Sequence, residues 1–136
     1  MDTNVLVAGA CRHVGSPAYA VLLGVLHERI PLMMTASIAL EYLDVLQRSR
    51  VLALTGLTHK QSADLVTDLV ALSHAIQLNF AWRPDLTDES DNKFVEAAIH
   101  AGATIITYNE RDCSTGDLKQ FGWSVISPKE FAARYL

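Results

Sequence analysis

The chain has 136 residues, half of them hydrophobic and 19% charged, with a formal net charge of −4. That fits a single globular domain over residues 1–136, able to bury about two-thirds of its unfolded surface. No run approaches the roughly 20 apolar residues needed to span a bilayer. No basic stretch leads into an apolar one at the start either, so a cytoplasmic protein without a secretion signal is expected. The negative charge excludes a broadly basic coat, but a local pair such as Arg48 and Arg50 can still touch phosphates. Cys11 and Cys113 form no close pair, and Cys11 with His13 falls short of the four ligands of a tetrahedral zinc site.

Helical and strand-like segments alternate along the chain. Residues 1–4, Met-Asp-Thr-Asn, set a carboxylate ahead of an apolar run; Asp2 is either a frayed terminal residue or the end of a first strand. Residues 16–30 predict a helix with Ser16 as N-cap and Pro17 at its first position, where a missing N–H costs nothing. The short apolar run at 31–37 suits a buried strand, and helical spacing returns over 37–50. Residues 58–75 open with Thr58 and Gln61 at capping-box spacing and carry a Leu65, Leu69, Leu72 stripe. A strand is predicted at 75–79 and a loop at 80–90, rich in Pro, Asp, Thr and Ser. A helix over 91–102 closes on Gly102, and strands follow at 103–107 and 123–127. Ser127, Pro128 and Glu130 open a last helix. Strands separated by helices imply a parallel sheet covered on both faces.

Two acidic residues break the pattern of their own helices. Glu41 lies three residues after Ile38 and four before Val45, on the side that should face the core. Asp91 stands three before Phe94 and four before Val95, again in line with an apolar stripe, although a place near the helix start also suits a cap. Carboxylates are almost never fully buried unless paired, because desolvation costs several kcal/mol. A third acid, Asp112, follows the β-branched run 103–107 through a polar turn carrying Thr107 and Asn109. In open parallel sheets, ligands bind in the crevice outside the C-terminal ends of the strands. Two bare carboxylates about 4 Å apart repel by roughly 4 kcal/mol at an effective dielectric near 20. Four acids gathered there call for a cation, and oxygen-only ligands suit Mg²⁺ or Mn²⁺.

The segments around Asp2, Glu41, Asp91 and Asp112 resemble those of the PIN-domain family. "DTNVLV", "ALEYLDVL", "DESDNKFVEAAIHAGATIIT" and "YNERD" occur in the family's order across nearly the whole chain. In detail they look most like the toxins of bacterial type II toxin–antitoxin systems, the VapC-like branch. The resemblance implies an α/β chain, a three-layer α/β/α domain with a central parallel sheet. It also implies metal-dependent endoribonuclease activity, a homodimer and a small antitoxin protein as partner. Asp2, Glu41, Asp91 and Asp112 correspond to the family's acidic quartet, with Thr3, Asn4, Thr107 and Asn109 at polar positions beside it. Family members place a hydrophobic strand directly before the first Asp; here only Met1 precedes Asp2, so a truncated first strand is expected.

The expected chemistry is hydrolysis of an RNA phosphodiester by Mg²⁺ or Mn²⁺ on the acidic cluster, with Asp2 and Asp91 as direct ligands. Arg12 and Arg111 lie beside site segments, where they are either phosphate contacts or simply solvated. Apolar faces around Tyr19, Leu22 and Leu26 suggest the surface of a dimer. The alternative is a catalytically impaired binding module that engages a protein or RNA. A phosphotransfer domain is disfavoured, because no Lys follows the strand at 103–107 closely and no glycine-rich phosphate loop occurs.

Overall fold

A computed structural model of the chain describes residues 1–76, 92–109 and 124–136. The expectations for Asp91, Arg111, Asp112 and Cys113 fall outside the described residues.

Among the described residues the chain runs α1 (Thr3–Ala10), α2 (Pro17–Leu26), β1 (Met33–Met34), α3 (Ala36–Leu46), α4 (Ser49–Thr55) and α5 (His59–Leu72). It continues with β2 (His74–Ala75), α6 (Asn92–Ala101), β3 (Thr104–Ile106), β4 (Ser124–Ile126) and α7 (Pro128–Tyr135). The predicted caps hold. Ser16 accepts from the Tyr19 N–H, Ser127 accepts from Glu130, and Thr58 with Gln61 forms the reciprocal capping box. Two helices were not anticipated. In α1, Val5 and Val7 are β-branched and flank Leu6, yet Asp2 caps the helix and α2 packs on it, so tertiary packing overrides the weak helix preference of the valines. A Cβ on Gly9 would stand 2.8 Å from the Ala18 carbonyl oxygen; only glycine lets the two helices approach so closely. Helix α4 closes on Gly56, whose φ of 74° lies in the left-handed region.

The predicted parallel pairing is present in two short pairs. β1 runs parallel to β2 with Met34 opposite Ala75, and β3 runs parallel to β4 with Ile105 opposite Val125. Successive strand residues face opposite ways, and β3 shows what covers each face. Ile105 packs in the cluster that holds Phe94, Val95 and Ala98 of α6, whereas Ile106 packs with Val5, Ala18 and Val21 of α1 and α2. Helices therefore cover both sides of β3, as an α/β/α arrangement requires.

Among the described residues, Asp2 alone stands in the place of the expected first strand. The Thr107 N–H donates toward β4, to Ile126 O at 3.0 Å. One residue earlier, the Ile106 carbonyl faces the other way and accepts the Asp2 N–H at 2.9 Å. A cavity of about 320 Å³ lies beyond this rung, bounded by Leu32, by Met33 of β1, by Thr104 and Ile105 of β3, and by Phe94 and Ala98 of α6. Met1 also lines it. Of the residues expected to present a dimer face, Leu22 is 3% exposed within the chain's own core, so it is not available to a partner.

Candidate active site

Asp2 is placed by β3 and α1 together. Its N–H bonds to β3, its side chain caps α1, and its backbone is extended, with φ −67° and ψ 153°. Carboxylate Oδ1 accepts the Thr3 N–H at 2.7 Å, and Oδ2 accepts the Thr107 hydroxyl at 2.5 Å. Thr107 is fully buried at the C-terminal end of β3. Its oxygen accepts the Asn109 N–H at 3.0 Å, which leaves its one proton for Asp2. Asp2 is only 5% exposed. Burial pushes its pKa up, opposed by the bonds from Thr107 and Thr3 and by the Met1 ammonium, while the Glu41 charge adds to the rise.

Thr3 ties the second carboxylate to the first. Its hydroxyl donates to Glu41 Oε2, while its N–H holds Asp2 Oδ1. Glu41 projects from the middle of α3, and its other oxygen, Oε1, meets Lys93 Nζ of α6 at 3.1 Å. The side chains of Lys93 and Glu41 are 28% and 17% exposed. Beneath them the Tyr42 hydroxyl donates to the Met1 carbonyl, and burial together with the charges of Asp2 and Glu41 raises the Tyr42 pKa.

The structure brings Asp2, Thr3, Glu41 and Thr107 together. Asn109 takes part through its backbone N–H, and its side chain is exposed. Asn4 is half-buried, and its side-chain oxygen finds no hydrogen-bond donor among the described residues. Arg12 is elsewhere: its guanidinium donates to Thr55 O at 3.1 Å, at the C-terminal end of α4, where a cation complements the helix dipole. Arg48 pairs with exposed Asp44 at 2.8 Å.

Sequence reasoning missed Lys93 and Tyr42. A signal for Lys93 was present: a lysine in the first turn of a helix opposes the macrodipole unless an anion compensates. Nothing in the sequence separates Tyr42 from an ordinary core aromatic.

Each carboxylate oxygen of Asp2 and Glu41 already accepts one bond or faces a cation. A carboxylate offers about four lone-pair sites, so room is left on both groups for a further ligand. The donors are all oxygens, which fits a hard divalent cation. Among the described residues, no group of three or more His, Cys, Asp or Glu is close enough to hold a metal ion; Asp2 and Glu41 supply two carboxylates. No described helix is long and apolar enough to cross a membrane.

A family model described as the PIN domain matches residues 1–111. Comparison with curated proteins and with solved structures returned no significant match.

Proposed function

Because the chain belongs to the PIN-domain family, whose members are generally nucleases that typically bind divalent metals, we propose that it is a metal-dependent endoribonuclease. The observation that carries this reading is the joining of Asp2 and Glu41 through Thr3 at the C-terminal edge of β3. Lys93 already offsets part of the Glu41 charge, and a divalent cation shared with the buried Asp2 would compensate both carboxylates.

In this reading Asp2 and Glu41 hold Mg²⁺ or Mn²⁺, with Asp91 and Asp112 completing the quartet. The cation, when bound, supplies an acidified water and neutralises charge on the phosphodiester. Thr107 and Thr3 fix the rotamers of Asp2 and Glu41, so that little ordering is left to do when cation and substrate arrive. Burial of Asp2 strengthens its attraction for a divalent charge. The resemblance to VapC-like toxins supports the toxin role, with RNA as substrate, a small antitoxin protein as partner, a homodimer and a cytoplasmic setting.

The test is cleavage of a structured RNA with Mn²⁺ or EDTA by the unmodified protein, Asp2→Asn and Asp91→Asn, beside thermal melts. Asn keeps the size of Asp without its charge, and the melts report whether each variant keeps the fold. Loss of Mn²⁺-dependent cleavage with intact melting supports the reading. Equal cleavage by all three proteins refutes it, and no cleavage by the unmodified protein points to a binding module.

A further inference from the structure

Lys93 stands in the first turn of α6, which holds no acidic residue among the described residues. The helix end is itself positive, so a cation there is disfavoured by the local backbone. Its ammonium is nonetheless set 3.1 Å from Glu41 Oε1, and both side chains are less than a third exposed. From Glu41 the connection continues through the Thr3 hydroxyl to Oε2, through the Thr3 N–H to Asp2 Oδ1, and from Asp2 Oδ2 to Thr107. Lys93 is therefore the positive end of one continuous chain of polar contacts through both carboxylates.

We propose that Lys93 is a tethered cation of the acidic site, whose ammonium competes with a divalent cation for Glu41 and so sets the concentration at which the site loads. The proposal rests on Asp2 and Glu41 being cation ligands. Two consequences follow from the geometry. An ammonium on Oε1 leaves Glu41 neutralised and pinned between Lys93 and Thr3, so the paired carboxylates hold their positions without help from solution. A divalent cation taken up on the same carboxylate must then share it with a positive charge a few ångströms away. At about 5 Å, the repulsion between a single and a double charge weakens cation binding by roughly tenfold even at the dielectric of water. Lys93 acts through Glu41 and is a positioning residue rather than a catalytic one.

The experiment is Mn²⁺ titration, read as free-ion paramagnetic resonance at low ionic strength, on the full chain and on Lys93→Met, Lys93→Arg and Glu41→Gln. Met keeps the length of the side chain without its charge, and Arg keeps the charge. The expected result is about tenfold tighter Mn²⁺ binding by Lys93→Met, near-native affinity for Lys93→Arg, and a large loss for Glu41→Gln. Mn²⁺ should also raise the melting temperature of Lys93→Met more than that of the unmodified protein, because bound ligand stabilises in proportion to RT ln(1 + [L]/Kd). If Lys93→Met does not fold, Lys93→Gln makes the same comparison. Equal or weaker binding by the neutral variant overturns the proposal while leaving the cation site standing. So does tightening by Lys93→Arg to the same degree. If neither the unmodified protein nor the neutral variant takes up Mn²⁺, the cation site itself falls and this proposal with it.

Discussion

Thr107→Val replaces a hydroxyl by a methyl of nearly the same size, so no cavity opens and the change is almost purely one of hydrogen bonding. Thr107 is fully buried and Asp2 is 5% exposed, so water cannot readily replace the 2.5 Å bond from Thr107 to Asp2 Oδ2. A hydrogen bond to a charged group contributes about 1.5–3 kcal/mol. The Asn109 N–H also loses its acceptor, but Asn109 is exposed and water can serve it. For a chain of this length that loss lowers the melting temperature by roughly 6–12 °C. The deficit depends on pH, because the Thr107 bond holds the Asp2 pKa down against burial. In the variant that pKa rises further, so the deficit is fully present above it and fades as pH falls through it and Asp2 becomes neutral. Calorimetry of both proteins between mildly acidic and neutral pH measures this. A deficit below about 0.5 kcal/mol at neutral pH, or one that grows on acidification, would refute the placement of Asp2 as a buried carboxylate held by Thr107.

Glu41→Gln takes the charged acceptor from both Thr3 and Lys93; urea unfolding should show a loss of about 1–2 kcal/mol, and Lys93→Met should restore part of it. Burial raises the Asp2 pKa above its ordinary 3.8, so the charged form weakens the fold above the raised value. Acidification from that value toward 3.8 should raise the melting temperature of the unmodified protein relative to that of Asp2→Asn, which does not titrate there. Three valines placed ahead of Met1 should raise the melting temperature by several degrees. They would extend from the Asp2–Ile106 rung along β3 into the apolar cavity between β1 and β3. Unchanged melting would show that the cavity does not accept a strand. Ser62→Ala should cost about 1 kcal/mol in the same unfolding assay, because its buried hydroxyl donates to Leu46 O at 2.7 Å across the α3–α5 contact.

The local elements were legible wherever a cap or a periodicity marked them. Ser16, Thr58 and Ser127 announce their helices because a short polar side chain satisfies otherwise unpaired N–H groups within three residues. Glu41 was legible as well, as a charge on an apolar face, and half-burial beside Thr3 is the outcome. Helix α1 was not, because the β-branched Val5 and Val7 have little local preference for a helix and take one when packed beneath α2. The division of the sheet into two parallel pairs was equally hidden, since pairing joins residues as distant as Met34 and Ala75.

By itself the sequence determined which residues carry charge, which cap helices, and that strands and helices alternate; these depend on neighbours a few positions away. Only the tertiary structure decided that Thr107 donates its proton to Asp2, that Thr3 joins Asp2 to Glu41, and that Lys93 faces Glu41 across two helices. Those contacts join residues 38 to 105 positions apart. Directed bonds of about 3 Å between such residues form only once burial of the core has brought the backbones into place, and no local pattern of residues encodes their geometry.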